Sequence, residues 1–470
     1  MLLLPPGLPG GPAAGSVPPG PFYSPAGLLK THRNTRPRLR QKFMESGTEK
    51  VYKRPGSLQY RLELQAHIEK RRFFCPHAVM DDPILSLALD LLRSPAGSAP
   101  ELPEILPESG LRDAETLRRL APHVLARAAN LGGRTTLAHM DPPTPEITWA
   151  TALWNACRNQ NLLHPATSPF ASKAERLCIS WLAPFFGMTG GHFCAGSTIG
   201  NLTGLWTARN HKGVKTVFAS ELAHNSIAKS CDILGLELRL LPADDRMRLI
   251  PPKEELAGSC LVLTAGTTGG GAIDPLRERH GAAWVHVDAA WAGPLRLSRL
   301  HSGLLDGIEN ADSIAVSAHK MLLQPKDSAF VLFRDYEKVA PAISAGGAYL
   351  AKPAVGVQGS RSAAAVNLLA FLLSLGRLGM EHVLDKLIRN AETLFSFLEQ
   401  SGRFVPAVRP VTGVNVFRPL EMDTSALLDR LPPGMFSTLH YRSELWIRSV
   451  SANPEADIQK IIALLDGIRA

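Results

Sequence analysis

Ala283-Trp-Val-His-Val-Asp-Ala-Ala-Trp-Ala-Gly293 is the stretch from which the rest of the chain can be read. Ala283–Val287 is a short apolar run, and it stops at a carboxylate, Asp288, followed by small residues. A run this short and this apolar reads as a strand covered on both faces. Similar runs flank it: Lys215–Ala219 and Cys260–Thr264 before, Ser313–Val316 and Ala329–Phe333 after. Amphipathic helical stretches separate them, so the region His139–Asp335 predicts an α/β domain with a doubly wound, mostly parallel sheet. Open sheets of this kind place ligands beyond the carboxyl ends of their strands, and here those ends are polar and Gly-rich.

On the N-terminal side the period changes to that of helices: Leu58, Leu62, Gln65 and Ile68, then Ile84, Leu87 and Leu91, then Leu117, Leu120 and Val124, with a Pro-rich break over Ser94–Pro107. On the C-terminal side, after Gly347, a long helix pair is expected over Ser362–Gln400. Strands follow near Arg403–Val408, Val414–Phe417 and Leu445–Val450, with a closing helix from Asn453. The chain therefore divides into a basic Pro/Gly-rich extension (1–57), a helical segment (58–135), a large α/β domain (136–345) and a smaller C-terminal α+β domain (346–470).

The 470 residues are 45% hydrophobic and 20% charged, which excludes collagen-like, disordered and membrane-spanning chains. No apolar run reaches the ~18 residues a bilayer needs; the best, Ala363–Gly376, carries Asn367 and Ser374. The formal net charge of +9 lies wholly within residues 1–72, so the body is neutral and neither a nucleic-acid nor a membrane partner is expected. The extension, with its Arg-rich stretch Lys30–Lys42, reads as a solvated disordered tail, with a transit peptide or a nucleic-acid arm as alternatives. Six cysteines stand singly, without CxxC or zinc-finger spacing. A reducing, cytoplasmic setting and no metal site are expected.

Four segments at strand ends carry chemistry. Gly191-His-Phe-Cys-Ala-Gly-Ser-Thr198 runs from a strand into a helix; Gly196, Ser197 and Thr198 suit a phosphate at the helix N-terminus, although an ordinary helix cap reads the same way. His224 follows a second strand, and Thr264-Ala-Gly-Thr-Thr268-Gly-Gly-Gly a third; alone each is a plain loop. Asp288 ends an apolar strand, where a buried charge needs a cation or donors. Lys320, in Ser317-Ala-His319-Lys320, sits before an apolar run; desolvation lowers the pKa of such an amine and makes it a nucleophile for Schiff-base chemistry. Each segment has a bland alternative, but their order over some 120 residues does not.

The set FCAGSTIGN (193–201), AHNS (223–226), TAGTT (264–268), HVDAAWAG (286–293) and SAHK (317–320), with QGSR (358–361) and IRSVSANP (447–454), resembles the pyridoxal-phosphate-dependent group II amino acid decarboxylases. MDPPTP (140–145) and residues 159–175 are similar to that family's dimer-proximal region. The resemblance covers about His139 to Gly467 and implies a fold-type I enzyme, a homodimer with shared active sites, that decarboxylates an L-amino acid. Lys320 would hold pyridoxal 5'-phosphate covalently, Asp288 would pair with its ring nitrogen, and His224 and Ala290 would contact its two faces. Ser197, Thr198 and His319 would bind the phosphate, and Gly196 and Ser317 would also contact the cofactor. Thr268 and Asp274 would support the Asp288 side of the ring, and Arg448 would meet a substrate carboxylate or serve structure alone.

One departure stands out. The family's proton donor is a tyrosine on a mobile loop; here the corresponding loop, Leu350–Gln358, is short and lacks tyrosine, leaving Tyr349 and Tyr336 as flanking residues and His224 as the nearest candidate acid. Alternatives on the same scaffold are a carbon–carbon lyase, an oxidative deaminase, an aminotransferase, or a non-catalytic relative. Sequence alone does not identify the accepted side chain.

Overall fold

The structure, a computed structural model, describes residues 83–93, 99–348, 350 and 353–468, all within the unit Cys75–Ala470. The extension 1–57, the helical pattern up to Ile68 and Tyr349 lie outside the described residues.

Seven strands form the large sheet: β1 (Gly190–Cys194), β2 (Thr216–Ser220), β3 (Glu237–Leu241), β4 (Cys260–Thr264), β5 (Trp284–Asp288), β6 (Ser313–Ser317) and β7 (Ala329–Phe333), in the order β1-β7-β6-β5-β4-β2-β3. Strands β2 to β6 pair in parallel. Strand β7 is antiparallel to both β6 and β1. The connection from Ser317 to Ala329 holds no crossover helix, so the chain can only turn back. Registers Ser317↔Ala329 and Cys194↔Ala329 then bring the end of β1 beside the carboxyl ends of the parallel strands.

Two strands left little trace in the sequence. Strand β3 is an exposed edge, and Ser437–Tyr441, a strand of the C-terminal sheet, alternates between partial and full exposure, so neither forms a continuous apolar run. Helices α1 (Pro83–Arg93) and α2 (Asp113–Val124) fall in the segment 58–135, and α3 (Glu146–Arg158), α4 (Pro169–Leu182), α5 (Ser197–Lys212) and α6 (Asn225–Leu234) in the region 136–345.

Helix α7 (Ala364–Gln400) is long and apolar enough by composition to cross a bilayer, but Leu368, Leu369, Phe371, Leu384, Leu387 and Ile388 are buried in the core it shares with β4 and β5. It bends at Gly376, whose φ of 61° is left-handed, which is why the sequence reads as two helices. A four-stranded antiparallel sheet follows, β10 (Phe404–Val408), β11 (Val414–Pro419), β13 (Glu444–Val450) and β12 (Ser437–Tyr441) in spatial order, after a two-stranded ribbon, β8 (Ser344–Ala345) with β9 (Ala354–Val355). The short helix α8 (Thr424–Asp429) lies between β11 and β12. The closing helix α9 starts at Ile458 rather than Asn453. Asn453 instead organises a turn by accepting from Glu455 N, and Asp457 caps the helix by accepting from Lys460 N.

Candidate active site

Successive residues of a strand face opposite sides of the sheet, so Trp284, His286 and Asp288 share one face of β5. Helix α5 packs on that face. Its Ser197, Asn201, Gly204 and Ala208 recur at helical spacing, and the last three are buried against β5 and β6. Asn201 Nδ2 donates to Asp288 Oδ2 at 2.9 Å, and Ala290 N donates to Oδ1 at 3.1 Å. Asp288 is 4% exposed and forms no ion pair with any Lys or Arg among the described residues. A carboxylate so buried, held by two N–H donors, has room for one cationic partner.

The same Asn201 amide donates to Ser226 Oγ at 2.8 Å, and Ser226 Oγ lies 2.8 Å from His224 Nδ1. His224 also caps α6 by accepting from Ser226 N at 3.1 Å. Its ring stays exposed at the rim of the site. Desolvation lowers its pKa, against the opposing pull of Asp288.

At the other end of the site, β1 delivers Gly196 with φ 93°, a conformation that favours glycine, and α5 begins at Ser197 without a side-chain cap. Ser197 Oγ and Ser317 Oγ lie 2.8 Å apart, and Thr198 is exposed beside them. The His319 ring is near: a Cβ on Gly196 would stand 3.7 Å from His319 Cε1. Burial pulls the His319 pKa down to about 4, so its Nδ1–H donates to Ser328 O at 3.0 Å and the ring is neutral.

Lys320 follows β6 and is half-buried; among the described residues its amine has no hydrogen bond or ion pair. Desolvation lowers its pKa, opposed by Asp288 and Asp141, while Lys326 and Arg448 push the same way as burial. Asp141 is ion-paired with the exposed Lys326.

Arg448, on β13, is 9% exposed; Nε donates to Thr268 O at 2.8 Å and Nη1 to Ser437 Oγ at 3.2 Å, and no carboxylate pairs with it among the described residues. Burial draws it down to about 10. Thr268 therefore meets Arg448 through its carbonyl, and its own side chain is exposed. Asp274 accepts from Leu249 N and Thr264 N, each at 2.7 Å, and burial raises it to about 6. It orders the end of β4, whose Thr264 is the register partner of Asp288.

Ala290 is buried beside Asp288. Tyr336 is excluded from the site: it follows the end of β7 that pairs with Gly190, at the opposite end of the sheet, and packs on His192 and Phe333. Asn201, Ser226 and His286 stand inside the sequence motifs, but the sequence alone assigns them no role. The usable signal was their period, since Ser197 and Asn201 are one helical turn apart, and His286 and Asp288 are two strand residues apart.

A buried carboxylate without a cation, an amine without an acceptor, and a helix N-terminus flanked by hydroxyls fit a ligand with a protonated ring nitrogen, a carbonyl and a phosphate. Pyridoxal phosphate has these three handles.

Comparison with known proteins agrees. The pyridoxal-dependent decarboxylase conserved domain matches residues 147–419. L-2,4-diaminobutyrate decarboxylase of Rhizobium meliloti is 33% identical over 321 residues, 61% of this chain and 65% of that protein, so the match falls short of two thirds of its length. Aspartate 1-decarboxylase of Aliivibrio fischeri is 27% identical over 386 residues, 69% of this chain and 70% of that one. Among solved structures, mouse CSAD in its apo form superposes with a TM-score of 0.72 at 23% identity, covering 87% of this chain and 98% of that one, a likeness of fold.

Proposed function

Because the chain belongs to the pyridoxal-dependent decarboxylase family, we propose that it removes the α-carboxylate of an L-amino acid as CO₂ and releases the amine, with Lys320 as the attachment point of pyridoxal phosphate. The observation that carries this reading is the joint presence, inside the matched region, of a buried Asp288 and a half-buried Lys320 that, among the described residues, form no ion pair or hydrogen bond with any opposite charge.

Bound there, pyridoxal phosphate supplies an electron sink for the pair left on Cα when CO₂ departs. The chain's own residues do the rest. Asp288 keeps a proton on the ring nitrogen, since its carboxylate is fixed by Asn201 and Ala290 and cannot turn away. Ser197 and Thr198 would hold the phosphate with the N–H groups of the helix start and their hydroxyls, Ser317 would add a hydroxyl, Gly196 would let the backbone come close, and the His319 ring would serve it only once protonated at Nε2. Arg448, a buried guanidinium without a carboxylate, takes a carboxylate of the substrate. His224 keeps Nδ1 occupied by Ser226 and presents Nε2 at the rim, which suits it to return a proton to Cα.

We further propose a homodimer in a reducing, cytoplasmic setting. Helix α3 leaves Trp149, Leu153 and Trp154 exposed, with Phe170 of α4 also exposed, an apolar surface that a second copy would cover. Light scattering is expected to give about twice 50.8 kDa. The five cysteines among the described residues are free thiols, which supports the reducing setting.

The deciding experiment incubates the loaded protein with a panel of L-amino acids and measures amine, CO₂ and ammonia. Equimolar amine and CO₂ from at least one of them is expected. Ammonia without CO₂, or no product from any, would overturn the reading.

A further inference from the structure

Resting on that reading, we propose that Asn201 is the positioning residue of the site: its amide is the hub of a hydrogen-bond chain, running from Trp284 to His224, that has only one possible direction. The chain orients the Asp288 carboxylate and holds His224 as the Nε2–H tautomer.

The direction follows from counting donors. Asn201 Nδ2 has two hydrogens, one spent on Asp288 Oδ2 at 2.9 Å and one on Ser226 Oγ at 2.8 Å. A flipped amide would set its oxygen against the carboxylate, so Oδ1 must be the atom that meets His286 Nε2 at 3.0 Å. An amide oxygen only accepts; His286 therefore carries its hydrogen on Nε2. Burial pulls the His286 pKa down to about 4, so the imidazole is neutral and Nδ1 is an acceptor. Ser313 Oγ, 2.8 Å away, must donate to it, and the Ser313 oxygen in turn accepts from Trp284 Nε1 at 2.9 Å.

On the other arm, the Ser226 N–H points at His224 Nδ1, so that nitrogen carries no hydrogen, and Ser226 Oγ, which accepts from Asn201, gives its own hydrogen to it at 2.8 Å. That leaves the imidazole hydrogen on Nε2. Every member between Trp284 and Ser226 is at most 4% exposed. Water has little access to reverse a link.

The helix has been shaped to this chain. Gly204 lies inside α5, where glycine costs about 1 kcal/mol relative to alanine. A Cβ there would stand 2.4 Å from His286 Nδ1 and 3.1 Å from Ser313 Oγ. The missing side chain is the space the imidazole occupies.

The test uses protein loaded with pyridoxal phosphate and labelled with 15N in its imidazoles, the His224 signals being assigned by their loss in His224→Gln. A protonated Nε2 and an unprotonated, accepting Nδ1 are expected. In Ser226→Ala the two nitrogens should move toward an averaged tautomer while cofactor affinity changes little. Asn201→Leu and His286→Phe should each weaken cofactor binding roughly tenfold or more and shift its visible absorbance, as loss of support for a charged acceptor requires. His286→Gln, whose amide can still donate to Asn201, should recover most of that loss. If Asn201→Leu does not fold, the wild-type spectrum and the His286 pair still decide. An Nδ1–H tautomer in the wild type, or His286→Phe with unchanged affinity and absorbance, would sink the proposal. Correct tautomer and affinities without amine or CO₂ from any amino acid would instead sink the decarboxylase reading alone.

Discussion

Strand β5 sends Val285 and Val287 to one side of the sheet and Trp284, His286 and Asp288 to the other, and all five side chains are buried. On the valine side they join Leu261 and Leu263 and the helix α7 residues Leu384 and Leu387 in a core where contact is the only requirement. On the other side three of the strand's polar groups are linked end to end beneath α5. Equal dryness thus supports two kinds of order. The valine side tolerates exchange of shape for shape at small cost, whereas the polar side needs every donor to find its acceptor, because each orphan forfeits its full desolvation cost.

Substitutions can break that contrast in either direction. The largest effect is expected at the end of the polar side. Lys320→Ala should lower turnover by on the order of 10⁵-fold or to background, and borohydride reduction should leave no adduct on the chain, while the urea midpoint hardly moves. A full rate in this variant would move the chemistry elsewhere. Next comes Asp288→Asn, expected to cost roughly 10²–10⁴-fold in turnover with a far smaller loss of bound cofactor, seen by pairing steady-state rates with absorbance titration. Near wild-type turnover would make Asp288 structural only.

The valine side should answer with the reverse pattern. Leu263→Ala is expected to remove about 2–5 kcal/mol of stability by urea unfolding and leave turnover per folded molecule within a few-fold. If the rate fell with it, the two sides would not be separable.

Acid should sharpen the comparison further, at about 3 kcal/mol. In the unfolded chain an imidazole titrates near 6.5, and in the fold burial holds His286 near 4, so between these values the unfolded chain binds more protons. The stability His286 preserves is therefore whole above about pH 6.5 and lost as pH falls toward 4. Urea midpoints at several pH values should show this slope, and His286→Gln should flatten it by that amount; an unaltered slope would mean the ring is not buried neutral.

How much of this was legible beforehand varies by residue, for physical reasons. Runs such as Cys260–Thr264 and Ala329–Phe333 are buried on both faces, so the requirement to be apolar is written into every position. Strand β3 is half-solvated and satisfies its backbone without such a run, so nothing marks it. Site residues whose chemistry is unusual in their local setting, a carboxylate ending an apolar strand or a lysine before Met-Leu-Leu, were visible singly. Asn201 and His286 were not, since each is an ordinary residue in an ordinary element and acquires its role only when α5 is laid across β5. The antiparallel course of β7, by contrast, is written in the short connection between Ser317 and Ala329, which leaves no length for a crossover helix.

That course has a consequence for the order of assembly. Strand β1 reaches the large sheet only through β7, and its partners Ala329–Phe333 are made well over a hundred residues after it. During synthesis, Gly190–Cys194 waits without a strand neighbour while β2 to β6 can already associate. The turn at Gly196 that β1 delivers is therefore among the last parts to take shape. Loop closure over such a distance is slow, and the waiting edge is open to wrong partners. A ribosome-bound chain ending before Ala329 should leave Gly190–Cys194 accessible to protease. The same segment should become protected once Phe333 has emerged.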